Sequence, residues 1–296
     1  MRFFSFVALV LACGPAGTQS IEHPEAPDSV ADPAFLEQWA ATGGFRLGQP
    51  TAITITPDGS EVLFLRSGPR DSERDLYAFD VATGEERVVL TADQILGGQA
   101  ETLSPEERAL RERLRMTASG IASYSLSQDG SKILVPLSGK LFVVDRNAAE
   151  NNVRELPSEG GYANDAQFSP DGNRVACVRE GDVYVIDVAA GTQRRLTTRE
   201  GDQQTYGLAE FVAQEEMSRY HGTWWSPDST TLVVQHNDAS DVETLYASNP
   251  IDPADPPRAA RYPRAGTSNV VVRLALIPVG EGDARWVEWD QQTFPY

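Results

Sequence analysis

The sequence predicts an all-β fold, an incomplete β-propeller of about four to five four-stranded antiparallel blades interrupted by two short helical insertions. The first observation behind this is a recurring turn. Thr56-Pro57-Asp58-Gly59, Ser127-Gln128-Asp129-Gly130, Ser169-Pro170-Asp171-Gly172 and Ser226-Pro227-Asp228-Ser229 each precede an apolar strand. Pro presets the first turn dihedral, Asp accepts from its own backbone and Gly tolerates positive φ, so the block is a turn with a mechanism. The second observation is a shared partner strand, Asp75-Leu76-Tyr77-Ala78-Phe79-Asp80, Lys140-Leu141-Phe142-Val143-Val144-Asp145 and Asp182-Val183-Tyr184-Val185-Ile186-Asp187. Ala82-Thr83-Gly84 and Ala190-Gly191-Thr192 then supply further turns. The third is spacing: units repeating at roughly 40 residues or more suit radial blades, each covered on both faces by its neighbours. A β-sandwich also uses short strands, but it has no reason to repeat the same succession of turn and strand.

From the N-terminus, Met1-Arg2 followed by the apolar run Phe3 to Ala12 reads as a secretory leader over residues 1–13, too short to span a bilayer. Val10-Leu11-Ala12-Cys13-Gly14 resembles a lipobox in which Cys13 becomes the lipid-modified first residue; an ordinary leader cleaved slightly later fits the same residues. The expectation is export, to the periplasm or to a membrane through a lipid anchor. Residues 14–33, with His23, read as a linker, and residues 34–296 as the propeller portion. Cys177 lies in an apolar alternation typical of a buried strand, so with Cys13 removed or acylated no disulfide forms.

Two stretches break the blade rhythm. Ser104-Pro105-Glu106-Glu107 is a capping-box pattern opening a charged helix that runs to about Met116. Leu208, Phe211, Val212 and Glu215 fall at i, i+3, i+4 and i+7, which predicts one helical face over about 208–220 with carboxylates extending an apolar stripe. Near the end, Trp286-Val287-Glu288-Trp289-Asp290 reads as the beginning of a fifth blade, leaving a ring expected to be cut and to carry unpaired strand edges.

The composition excludes several function classes. A formal charge of −18, from 43 acidic and 25 basic residues, offers no basic stripe for nucleic acid and reads as a solvated surface. Three scattered histidines and two distant cysteines have no metal-ligand spacing, and no phosphate-cradling loop is present, so neither metal nor cofactor is expected.

Gly207-Leu208-Ala209-Glu210-Phe211-Val212-Ala213-Gln214-Glu215-Glu216-Met217, then Trp224-Trp225-Ser226-Pro227-Asp228, then Tyr262-Pro263-Arg264-Ala265-Gly266-Thr267 with Asn269, resemble the bacterial branch of the dipeptidyl peptidase IV family. The likeness runs from about Leu36 to the end and includes Phe45-Arg46-Leu47-Gly48. It implies that Glu215 and Glu216 bind the free α-ammonium of a peptide substrate, with both side chains pointing into a cavity. The chemistry stands independently: an ammonium carries three donors and one charge, which two adjacent carboxylates satisfy by charge-assisted bonds. The resemblance also implies an arginine on a substrate carbonyl. The charged helix offers Arg111, Arg113 and Arg115, of which Arg113 is preferred and Arg111 second, although a solvated face paired with Glu106, Glu107 or Glu112 accounts for the same residues.

The family's reaction requires a Gly-x-Ser-x-Gly elbow with later Asp and His in an α/β-hydrolase domain, and none occurs in this sequence. No catalytic residue is therefore assigned, and His221 and His236 read as ordinary blade residues. The expected partners are a peptide with a free N-terminus and the missing C-terminal catalytic domain, with a homodimer of the full-length parent left open. The expected function is the substrate-gating, N-terminus-anchoring part of a secreted serine exopeptidase that releases dipeptides. A stand-alone periplasmic propeller acting as a peptide-binding or assembly scaffold is the alternative.

Overall fold

Each recurring turn joins two antiparallel strands of one sheet, and four such sheets follow one another along the described residues. The computed structural model describes residues 32–113, 115–148, 152–252 and 254–294. The expected leader, Cys13 and nearly all of the linker lie outside the described residues. Helix α1 (Pro33–Ala41) starts where Asp32 accepts from the Ala34 amide at 3.0 Å and Pro33 occupies the first helical turn.

The first sheet runs in order through β1 (Thr51–Ile55), β2 (Glu61–Ser67), β3 (Glu73–Asp80) and β4 (Glu86–Leu90). Helices α2 (Ala92–Leu96) and α3 (Pro105–Arg113) follow, and β5 (Ser119–Gly120) returns to pair in parallel with β3. The second sheet comprises β6 (Ser125–Leu126), β7 (Lys132–Leu137), β8 (Lys140–Asp145) and β9 (Val153–Glu155). The third comprises β10 (Ala163–Phe168), β11 (Arg174–Arg179), β12 (Asp182–Asp187) and β13 (Thr192–Arg195). In the fourth, β14 (Gln204–Tyr206) leads to α4 (Phe211–Glu216), after which β15 (Thr223–Trp225) and β16 (Thr231–Asp238) follow. A hairpin of β17 (Thr244–Ala247) and β18 (Arg258–Arg261) then precedes β19 (Val271–Pro278) and β20 (Arg285–Trp286).

Strand alternation places the core between sheets. Successive side chains point to opposite faces, so Ile133, Val135 and Leu137 of β7 pack with Leu63, Leu65 and Leu76 of the first sheet. Leu134, between them, packs with Val175 and Cys177 of the third. In β11 the intervening Ala176 and Val178 join Leu232 and Val234 of the fourth sheet. Every inner sheet is thus shared by two cores, which is the blade arrangement. Cys177 is fully buried, and desolvation pushes its thiol up to about 11.

Trp286 does not open a fifth blade. It lies in β20, the outermost strand of the fourth sheet, because Ala275 and Leu276 of β19 pair with Trp286 and Arg285. The charged helix also ends earlier than expected, at Arg113. Ser104 caps it by accepting from the Glu107 amide at 3.0 Å, but the Glu107 carboxylate turns to Arg111 at 2.7 Å instead of closing a reciprocal box.

The turn aspartates carry a measurable consequence. Asp58 accepts from Thr56 Oγ1 at 2.7 Å and from the Ser60 amide at 3.1 Å, and Asp129 repeats this with Ser127 at 2.6 Å and Ser131 at 3.0 Å. These bonds hold both carboxyls down at about 2, below the ordinary 3.8. A depressed folded-state value contributes stability that is complete above the unfolded value and is lost as pH falls through the folded one. Acid unfolding followed by circular dichroism is therefore expected to show a loss of stability from about pH 4 down to about pH 2, and the double variant Asp58→Asn with Asp129→Asn should flatten that window.

Candidate functional site

The innermost strand of the fourth sheet is built in two pieces. Tyr206 of β14 faces His236 and Thr223 of β15 faces Val234, so both pieces pair with the same strand, β16, and residues 207–222 leave the sheet between them. The departure coincides with a recurrent irregularity. Counted back from their turns, β1 and β10 carry a bulge at the equivalent place, between Thr51 and Thr54 and between Asn164 and Gln167. Bulges re-aim side chains at sheet edges and beside sites, and in this blade the bulge has grown into a helical excursion.

Its neck is drawn tight by glycine. A Cβ on Gly222 would lie 2.5 Å from the Gly207 carbonyl carbon and 2.6 Å from Leu208 backbone atoms. Leu208, expected on the helical face, instead forms a β-bridge with His221 across this neck. The helix begins only at Phe211, because Glu210 is its N-cap and accepts from the Ala213 amide at 2.9 Å.

Glu210 is the residue that sequence reasoning missed. It is 5% exposed and accepts from Gln235 Nε2 at 2.8 Å and Arg219 Nη2 at 3.2 Å. Gln235 in turn reaches Asn237 at 2.6 Å, whose Nδ2 donates to the Leu208 carbonyl at 2.8 Å. This buried polar network on β16 fixes the base of α4. Its only sequence signal is a glutamate just before an apolar helical stripe, the place of an N-cap.

Glu215 and Glu216 stand at the exposed C-terminal end of α4. Arg113 crosses from α3 to this end of α4, donating through Nε to Glu215 Oε1 at 2.7 Å and through Nη1 to Gln214 Oε1 at 2.8 Å. The guanidinium carbon also lies 5.5 Å from the centre of the Phe211 ring. The structure thus joins Arg113 to Glu215, 102 positions away, with Glu216 the next residue along. Among the described residues Glu216 has no ion-pair partner.

Arg111 does something else. It is 7% exposed, and its Nη2 donates to Glu101 at 2.6 Å and Glu107 at 2.7 Å. It therefore ties α3 to the segment that precedes it, and its guanidinium is committed to carboxylates. Arg115, the third arginine considered, adopts a positive φ of 52° beyond the helix end.

A cavity of about 660 Å³ opens beside this cluster, lined by Arg113, Tyr124, Asp165, Gln214, Tyr220 and His221 among others. Of this helix, Gln214 lines the cavity, with its Nε2 turned to the Ala209 carbonyl at 2.7 Å. The glutamates stand one step further along the helix, outside that lining. Their place at the helix end is electrostatically demanding, since two adjacent negative charges meet the negative pole of the peptide dipoles. Arg113 neutralises one of them.

The remaining histidines separate in the same way. His221 pairs through Nδ1 with the Asp165 carboxylate, which raises it above the ordinary 6.5. His236 is buried between Tyr206 and Trp286, at 4.5 Å and 5.8 Å between ring centres, and desolvation lowers it. No cluster of metal-ligating side chains occurs among the described residues. Nor is any helix among them long and apolar enough to cross a membrane.

Residues 127–295 match the family model for the dipeptidyl peptidase IV (DPP IV) N-terminal region. Dipeptidyl peptidase 8 of Homo sapiens is 30% identical over 197 residues, covering 58% of this chain and 22% of that protein. A probable dipeptidyl peptidase 4 of Aspergillus flavus is 28% identical over 249 residues, covering 78% of this chain and 30% of that protein. The crystal structure of Porphyromonas gingivalis dipeptidyl peptidase 4 superposes with a TM-score of 0.60 at 23% identity, over 84% of this chain and 34% of that one. The chain thus spans about a third or less of each of these proteins, and the fold likeness extends over most of the blades described above. With more than half of its residues inside the matched region, the chain belongs to the dipeptidyl peptidase IV N-terminal region family.

Proposed function

We propose that this chain is the substrate-gating propeller of an exported dipeptidyl-peptidase-like serine exopeptidase, and that Glu215 and Glu216 hold the free α-ammonium of the peptide. The observation that carries the reading is the Arg113–Glu215 contact at 2.7 Å beside Glu216, on an excursion that breaks the innermost strand of a blade. Arg113 occupies one oxygen of Glu215, which leaves its second oxygen and both oxygens of Glu216 for the three N–H donors of an ammonium. Fixing the first residue of the peptide limits how much of it reaches a nucleophile beyond, which is how an anchored amino terminus yields dipeptides. Arg113, already placed over the cavity edge, is the arginine suited to meet a substrate carbonyl. The apolar run Phe3 to Ala12 supports export, with Cys13 as the site of a lipid anchor.

The chain carries no Gly-x-Ser-x-Gly elbow, so bond cleavage falls to a hydrolytic domain supplied outside it. Titration calorimetry with a short peptide, free or acetylated at its amino end, tests the reading. The free amine is expected to bind at least about tenfold more tightly, the equivalent of one charge-assisted bond. Equal affinities would remove the ammonium-anchor role.

A further inference from the structure

Asp165 and His221 are 56 positions apart in the chain, yet they meet where the excursion leaves its sheet. We propose that this ion pair is a positioning pair, pinning the neck of the excursion to the neighbouring blade and so fixing where Glu215 and Glu216 stand. Its functional meaning rests on the ammonium-anchor reading above; its physical basis does not.

On one side, Asp165 occupies the β10 bulge with φ of 48°. A non-glycine residue in the left-handed region costs about 1 kcal/mol or more, and here the cost turns a carboxylate toward the next blade. That carboxylate is 9% exposed and also accepts from Gln167 Nε2 at 3.1 Å and from the Gly222 amide at 3.4 Å. It therefore holds both the side chain and the backbone of the neck.

On the other side, the His221 carbonyl accepts from Arg219 Nη1 at 2.9 Å, and the same guanidinium reaches Gln235 at 2.6 Å and Glu210, the N-cap of α4, at 3.2 Å. A continuous set of contacts thus links the β10 bulge to the start of the helix that carries the glutamates. α4 has only the turns between Phe211 and Glu216, so what holds its start also sets its end.

The groups against His221 are Asp165 and Gln167 from β10 and, at its carbonyl, Arg219 from the excursion; Glu107, Arg111, Arg113 and Arg258 line the same cavity further off. Among the described residues Asp165 is the one carboxylate in direct contact, and its hydrogen bond raises His221 above the ordinary value against a smaller opposing effect of burial. For a base with a raised folded-state value, the stabilisation is complete below the unfolded value and is lost as pH rises through the folded one. The pin holds in mild acid and lets go in mild alkali.

Hydrogen exchange over residues 207–222 of the intact chain, at about pH 6 and about pH 9 with intrinsic rates corrected, tests this alongside an NMR titration of the His221 ring. Protection is expected to fall about two- to fivefold as the ring deprotonates, the worth of a partly exposed ion pair. Asp165→Asn should lower the ring's midpoint and abolish the pH dependence. His221→Arg, charged throughout that range, should keep protection flat, a rescue that a merely structural contact would not give. Protection indifferent to pH in the unsubstituted chain, or unchanged by Asp165→Asn, would overturn the positioning pair even where free-amine peptides are still preferred. The converse, pH-dependent protection without preference for a free amine, would uphold the pin and remove the anchor reading instead.

Discussion

Glu216→Gln is expected to weaken binding of a free-amine peptide by roughly 10- to 100-fold, the range of hydrogen bonds that involve a charged group. Glu215→Gln should cost less, because Arg113 already offsets part of that charge at 2.7 Å. The double variant should bind free and acetylated peptides alike. Both side chains are exposed, so circular dichroism and the unfolding midpoint should stay within the range of surface substitutions. In a polypeptide that also contains a hydrolytic domain, the same loss should appear in kcat/KM for release of an amino-terminal dipeptide. An acetylated substrate should be turned over equally poorly with and without the substitutions.

The second large effect concerns stability. Arg111→Ala is expected to cost about 3 kcal/mol or more, since breaking a buried pair strands the partner charges. Glu101 and Glu107, with side chains 11% and 23% exposed, would be left beside each other without the guanidinium that joins them. Burial already pushes the Glu107 carboxyl up even with Arg111 in place. Arg113→Ala is the matched control. Its ion pair is partly exposed, so it should change stability by about 1 kcal/mol or less while impairing peptide binding. Urea unfolding of the two variants separates the structural arginine from the one at the site.

The contrast between these arginines shows where the sequence is legible. The turns at Thr56, Ser127, Ser169 and Ser226 can be read because their chemistry is local: a hydroxyl, a carboxylate and a backbone amide within five positions make the structure. The blades follow, because strand alternation between two cores leaves a periodic trace in Leu134 or Cys177. Arg111 and Arg113 lie two positions apart on one helix, and nothing local distinguishes the one that turns to Glu101 from the one that crosses to Glu215.

Likewise, the apolar stripe from Leu208 suggests a longer helix than forms, because neither the Leu208–His221 bridge nor the capping role of Glu210 leaves a periodic signal. Trp286 misleads for the opposite reason. Alternation identifies a strand but not the sheet it joins, and pairing with β19 is decided across the blade. Asp165 is invisible in the sequence altogether, since its role depends on a left-handed backbone in a non-glycine residue and on a histidine from another blade.

A double-mutant cycle addresses the central claim most directly, pairing the unsubstituted chain and its Glu216→Gln variant with peptides whose amine is free or acetylated. If the carboxylate grips the ammonium, the four affinities should give a coupling of about 1.5 kcal/mol or more, because removing either partner forfeits the same bond. Losses that simply add, with no coupling between the side chain and the amine, would contradict it.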